Sequence, residues 1–252
     1  YQIGVALMHE LKLEPPRHIP LDGAHNVRDL GGYATPDGET RWGAFFRADS
    51  LHQLSDADIQ ALLDAGVRTV IDLRHEGEVQ AAPNRLAELP EVAYHHIPLI
   101  RVMGANGGSL PPDLRSIYSY IVDDCQDCLH EAFKTMSTAQ EGGILFHCSA
   151  GKDRTGVVAA LLLGLAGVEE AIIAADYALT TQAMETLRPV LVEQAVARGG
   201  RPEDLEPMLT SHPDDMQALL DHVKSKHGSL AIYIQQLGLD ADQLHQLRQR
   251  FS

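Results

Sequence analysis

Between Gly142 and Val168 the chain reads as a short apolar run, a polar decapeptide and a longer apolar run, and that succession leaves few folds open. Gly143-Ile144-Leu145-Phe146 is apolar on both alternations of a strand, the pattern of a strand covered on both faces. Val157-Val158-Ala159-Ala160-Leu161-Leu162-Leu163 follows with no polar face, the pattern of a helix buried all round. A buried strand that turns directly into a buried helix is the unit of an α/β layer. The run from Val157 to Val168 has the length of a core helix and is too short to cross a bilayer.

The segments ahead of it alternate in the same way. Ala44 to Ala48, Val67 to Leu73 and Ala93 to Leu99 read as strands. Ser55 with Asp58 three residues on is a variant capping box, and Ile59, Leu62 and Leu63 continue at helical spacing until Gly66. Leu114, Ile117, Tyr118, Ile121 and Val122 mark a further helix before Gly142. After Gly167 only helical patterns remain: Glu169 to Thr180, about Ala183 to Arg198, Pro213 to Lys226 with Gly228 behind it, and Asp240 to Arg250. The expected fold is α/β, a central and mainly parallel sheet flanked by helices, with an additional C-terminal helical layer or lid. The 252 residues, 44% of them hydrophobic, suffice for one large core, and no linker divides them, so one domain over residues 1–252 is expected. The helices at about 182–226 read either as a lid over a pocket or as a layer on the sheet's flank. The loop from Arg101 to Pro112, with three glycines and two prolines, reads as a pocket rim or as plain connection.

The decapeptide itself is His147-Cys148-Ser149-Ala150-Gly151-Lys152-Asp153-Arg154-Thr155-Gly156. Its backbone N–H groups, with the unpaired N–H groups of the next helix's first turn, converge on the loop's centre and make an anion site that fits a phosphate dianion. Ser149, Ala150, Gly151, Lys152, Asp153 and Arg154 are its expected phosphate-binding residues. A free thiol titrates near ~8.5, and at a helix N-terminus beside cations near roughly 3.5 to 7.5, so Cys148 is expected as a thiolate nucleophile. Arg154 is placed to return over the loop and hold two oxygens with its planar fork. Thr155 is expected to donate its hydroxyl to the Cys148 sulfur, and Gly151 and Gly156 suit backbone that approaches a ligand or a neighbouring element closely.

These residues resemble the signature of the cysteine-dependent phosphatases: His-Cys, five residues, Arg, then Ser or Thr and Gly. The form Gly-Lys-Asp-Arg-Thr-Gly is similar to that of the bacterial protein tyrosine phosphatase family typified by secreted mycobacterial and listerial enzymes, some of which also hydrolyse phosphoserine, phosphothreonine and phosphoinositides. Asn26-Val27-Arg28-Asp29-Leu30-Gly31-Gly32-Tyr33, Phe46-Arg47-Ala48-Asp49-Ser50-Leu51, Val70-Ile71-Asp72-Leu73-Arg74, Ala174-Ala175-Asp176-Tyr177 and Gly228-Ser229-Leu230-Ala231-Ile232-Tyr233-Ile234 resemble the same family. The resemblance spans nearly the whole chain and implies a cysteine phosphatase fold. It also implies that Arg28, Arg47, Arg74, Lys152 and Arg154 gather near the site as a local positive field.

The proton donor is the least determined part. The mobile Trp-Pro-Asp loop of many tyrosine phosphatases has no counterpart, since the one tryptophan, Trp42, is followed by Gly43. The resemblance makes Asp153, beside Lys152, the acid/base candidate; its alternative role is a carboxylate that braces the loop. Asp72 at a strand end is a rival acid or an ion-pair partner of Arg74, and Asp29 is a third, remoter option. His147 should point away from the nucleophile along the strand and order the loop by hydrogen bonding rather than donate the proton.

The expected reaction is phosphate monoester hydrolysis through a cysteinyl-phosphate intermediate, with no metal and no cofactor. Phosphotyrosine protein is the first substrate the resemblance implies, phosphoinositides are the main alternative, and inorganic phosphate is the product ligand. Two other classes stay open: a rhodanese-type sulfurtransferase, which also uses a cysteine loop but does not call for Gly-x-x-Arg-Thr-Gly, and a phospho-ligand binding module without catalysis. A formal charge of −15 argues against nucleic acid and a broadly basic membrane-binding face. Three cysteines give no disulfide framework. Cys125-Gln126-Asp127-Cys128, inside or beside a helix and with only His130 near, reads as structural rather than as a zinc half-site, with reversible oxidation as the residual alternative. Ile3 to Met8 is too short and poorly flanked for a secretory signal, so a cytoplasmic location is the simplest expectation and export stays open.

Overall fold

The computed structural model describes residues 17–100, 111, 113–197, 201 and 209–251; the Ile3 to Met8 stretch and all but residue 111 of the Arg101 to Pro112 loop lie outside them. In chain order the strands are β1 (Arg28–Asp29), the hairpin pair β2 (Ala34–Thr35) and β3 (Gly38–Glu39), β4 (Phe45–Ala48), β5 (Val67–Asp72), β6 (Ala93–His96) and β7 (Gly143–His147). Five of them form one sheet in the order β1-β4-β7-β5-β6, parallel except where β1 runs antiparallel to β4. The strand with the strongest two-faced apolar signal is therefore the central one. Ile144 and Phe146 enter the larger core on one face, and Leu145 enters a smaller core on the other, as the period of two requires.

The smaller core is closed by α1 (Asp56–Asp64), whose capping box is as the sequence implies: the Ser55 hydroxyl accepts from the Asp58 N–H and the Asp58 carboxylate from the Ser55 N–H. Asp58 also accepts from the N–H groups of Asp22 and Gly23, which ties the incoming chain to the helix. A six-residue helix, α2 (Glu76–Ala81), follows β5 and has no buried residue, so periodicity gave no sign of it. The helical pattern before Gly142 is two helices, α3 (Leu114–Asp124) and α4 (Gln126–Thr138), broken at Cys125, whose ψ of 28° leaves the helical region.

Helix α5 (Asp153–Leu165) leaves the end of β7 and is buried from Thr155 onward except at Gly164. It is covered by α3, by α6 (Glu170–Ala178) and by α9 (Leu230–Gln236), and Gly164 is where α9 comes closest: a Cβ there would lie 2.2 Å from Leu230 Cδ1. Helix α7 (Thr180–Ala197) continues from α6. Within the stretch at about 182–226, α8 (Pro213–His227) packs against α3 and α6, with Met216, Leu219, Leu220 and Val223 in the larger core. The last helix, α10 (Ala241–Phe251), sets Phe251 edge-on to Phe45 of β4 with ring centroids 4.9 Å apart. No described helix is long and apolar enough to cross a membrane.

Candidate active site

Cys148 follows β7 directly, so it sits at the carboxyl end of the central strand, between the ends of β4 and β5, where open α/β sheets hold their ligands. Its side chain is buried. The loop after it is held by its carbonyl groups. Ser50 N–H donates to Ser149 O at 3.0 Å, Asn26 Nδ2 donates to Ala150 O at 3.0 Å and to Gly151 O at 3.1 Å, and Arg47 Nη2 donates to Gly151 O at 2.8 Å. Across a trans peptide the C=O of one residue and the N–H of the next point in opposite directions. With the carbonyls of residues 149 to 151 tied outward, the N–H groups of Ala150, Gly151 and Lys152 turn inward, which is the cradle an anion needs.

Helix α5 begins at Asp153, so its first N–H groups and the positive end of its dipole face the same centre. Arg154 stands on that first turn. Its Nη1 and Nη2 donate to Glu78 Oε2 at 2.6 Å and Oε1 at 2.9 Å, and Ser149 Oγ donates to Glu78 Oε1 as well. Burial alone would raise the Glu78 carboxyl; the Arg154 guanidinium and the Ser149 hydroxyl overcome it and hold the group down at about 2. Lys152 is almost wholly buried, 3.9 Å from Asp153 Oδ1, and burial lowers its pKa.

The model of the tyrosine phosphatase family matches residues 19–252, nearly the whole chain. The chain belongs to that family. A tyrosine-protein phosphatase of Nostoc commune is 32% identical over 216 residues, 82% of this chain and 74% of that one. The triple specificity protein phosphatase PtpB of Mycobacterium tuberculosis is 27% identical over 271 aligned positions, 90% of this chain and 96% of that one.

In this phosphatase the remaining site residues of the sequence reading fall into two groups. Asp153 is at the loop, its side chain a third exposed, and Oδ1 accepts from Tyr118 Oη at 2.6 Å. His147 is fully buried and lies behind the loop, with Nδ1 3.1 Å from Cys148 O and Nε2 2.9 Å from Asn84 Nδ2 and 3.3 Å from Asp72 Oδ2. Asp72 is also wholly buried and accepts from the Arg74 fork, with Nη2 at 2.6 Å, and from Tyr94 Oη at 3.0 Å. Burial would raise its pKa, but His147 and Arg74 outweigh it and hold the carboxyl well below the usual range. Of the two roles the sequence leaves open for Asp72, the structure shows the ion pair with Arg74.

Asp29 is occupied by backbone: its two oxygens accept from the N–H groups of Gly31 and Gly43, both at 2.7 Å. Thr155 departs from expectation too. Its hydroxyl is buried and makes no hydrogen bond among the described residues, to the Cys148 sulfur or to any other group. The arginine field is smaller than implied, because Arg28 and Arg47 are spent on Asp176, at 3.0 and 2.6 Å, and Arg74 on Asp72. These guanidiniums shape the loop from outside. Cys125 and Cys128 are buried at the junction of α3 and α4 and form no disulfide, and no group of three or more metal-ligating side chains occurs among the described residues.

Sequence reasoning missed Glu78, Asn26 as a loop anchor, Asn84, Asp176 as the partner of two arginines, and the pair Tyr118 and Tyr177. Only Glu78 left a local trace, four residues after Arg74 and beside a His75 cap. The contacts of the others span from 35 to 148 residues of chain, distances at which spacing carries no signal.

Proposed function

We propose that this phosphatase hydrolyses phosphate monoesters in two steps through a cysteinyl-phosphate intermediate, with phosphotyrosine in proteins as its first substrate. The observation that supports this is the joint placement of Cys148 at the head of β7, inward N–H groups on the loop behind it, and Arg154 on the first turn of α5. In the first step the Cys148 thiolate attacks phosphorus in line. The S–P bond forms as the P–O ester bond breaks, and the Asp153 carboxyl gives its proton to the departing oxygen. In the second step water attacks phosphorus and passes a proton to the Asp153 carboxylate. The P–S bond then breaks, sulfur leaves as thiolate and inorganic phosphate is released. Negative charge on the equatorial oxygens in both steps meets donors that need no reorganisation.

The test is steady-state hydrolysis by the purified chain in EDTA, on phosphotyrosine and phosphoserine peptides and on phosphoinositide vesicles. Phosphotyrosine turnover is expected to be fastest. The triple specificity in the name of the mycobacterial relative is the reason the panel includes the other two. Cys148→Ser should abolish turnover and keep phosphopeptide binding; turnover that survives it overturns the mechanism. Asp153→Asn should slow phenyl phosphate by about 10²- to 10⁴-fold and spare dinitrophenyl phosphate, whose leaving group needs no proton.

A further inference from the structure

Asp153 is anchored from behind by two buried tyrosines on different helices. Tyr118 on α3 donates its hydroxyl to Asp153 Oδ1 at 2.6 Å, and the Tyr177 hydroxyl, on α6, lies 2.6 Å from that of Tyr118. The rings meet edge to face with centroids 6.1 Å apart and are 0% and 1% exposed. Gly156, one turn after Asp153, makes room for this: a Cβ there would lie 3.1 Å from Tyr177 Cδ2.

Each phenol has one proton, and burial together with the Asp153 charge pushes both phenols above their ordinary range, so both stay protonated. While Asp153 is ionised its Oδ1 can only accept, so the Tyr118 proton goes to it and the Tyr118 oxygen is left to accept from Tyr177. Oδ1 of the carboxylate then faces a donor hydrogen, and Lys152 Nζ at 3.9 Å from the same oxygen adds positive charge on that side. A proton placed on Oδ1 would require Tyr118 to turn its hydrogen away and give up this bond. Oδ2 is left to carry it.

We propose that Tyr118, backed by Tyr177, is a positioning residue for proton transfer, holding Oδ1 as an acceptor so that Oδ2 gives up and recovers the proton. This rests on Asp153 as the general acid. A carboxyl pinned through a third helix is restrained in rotation, and restraint of this kind is what keeps a donor within reach of a departing oxygen.

The experiment compares kcat/KM, which reports the steps through cleavage of the P–O bond, on phenyl phosphate and on dinitrophenyl phosphate. Tyr118→Phe is expected to lower kcat/KM about tenfold on phenyl phosphate and less than about twofold on dinitrophenyl phosphate, the size of one charge-assisted hydrogen bond. Tyr177→Phe is expected to give the same pattern, smaller. In an Asp153→Asn background, Tyr118→Phe should add nothing on either substrate. Equal losses on both substrates, or none, overturn the proposal, since a defect of packing slows every leaving group alike. Should Tyr118→Phe fail to fold, Tyr177→Phe decides by the same criterion. If Asp153→Asn itself shows no leaving-group dependence, the acid assignment has failed. If it does and the tyrosine variants do not, only the positioning role has.

Discussion

Gly151 turns the phosphate loop with φ of +65°, and a Cβ on it would lie 2.6 Å from the Ala48 carbonyl oxygen and 2.8 Å from Asn26 Nδ2. Both obstacles are fixed, one by β4 and one by its own hydrogen bonds to the loop. Gly151→Ala is expected to cost about 1–3 kcal/mol in urea unfolding and to lower phosphotyrosine kcat/KM by at least about tenfold. Wild-type values in both measurements would show that the loop tolerates a displaced carbonyl. A glycine inside the decapeptide could be read from sequence as a point of close approach, because its neighbours in the chain already implied a tight loop. What approaches it could not, since Ala48 and Asn26 arrive from a different strand and a different turn.

Helix α2 carries Glu78, and at the scale of elements it is the one part of the site that hydrophobic pattern could not announce. It is six residues long with no buried face, and it is held by its cap, where His75 N–H donates to Glu78 Oε2 at 2.8 Å, and by the Arg154 pair. The Glu78 carboxyl sits at about 2 against 4.5 in an ordinary glutamate. Because the folded value is the lower one, the pair's contribution is full above about pH 4.5 and is lost as pH falls through about 2. With both side chains partly exposed it is worth about 1 kcal/mol or less. The stability difference between the wild type and Glu78→Gln, taken from urea unfolding at a series of pH values, should be constant above pH ~5 and vanish near pH 2. A difference that does not change over that range would mean that charge is not what binds α2 to the loop. By contrast, α1 and α5 were legible, the one from its capping box and the other from unbroken apolarity, because both signals are local.

Across the whole molecule Asp176 is the point where remote parts of the chain meet. It is 1% exposed and accepts from Arg28 of β1, Arg47 of β4 and Tyr33. Arg47 reaches the Gly151 carbonyl and Arg28 the Asn26 side chain, so a helix beyond the loop sets the loop's outer shell through the first strands. Burial would raise its carboxyl; the two arginines win and hold it well below the usual range. Asp176→Asn leaves two buried guanidiniums facing a neutral group, and about 3–5 kcal/mol of stability should go with it, seen as a lower Tm in calorimetry. The folded value again lies below the unfolded one, so wild-type stability from this group persists to well under pH 3.8 and then falls. A variant with wild-type Tm would remove Asp176 from its place in the fold.

The amino-acid sequence by itself determined the α/β class, the central strand, the core helix and the decapeptide with Cys148 and Arg154, because each is written in residues next to one another, in a period or a short motif. Which carboxylate faces the loop and which are consumed by buried arginines was decided only by tertiary structure. Asp29, Asp72, Asp153 and Asp176 are the same chemical group, and what separates them is burial and the partner brought up by another element. Desolvation and ion pairing act through space, and spacing along the chain does not encode them.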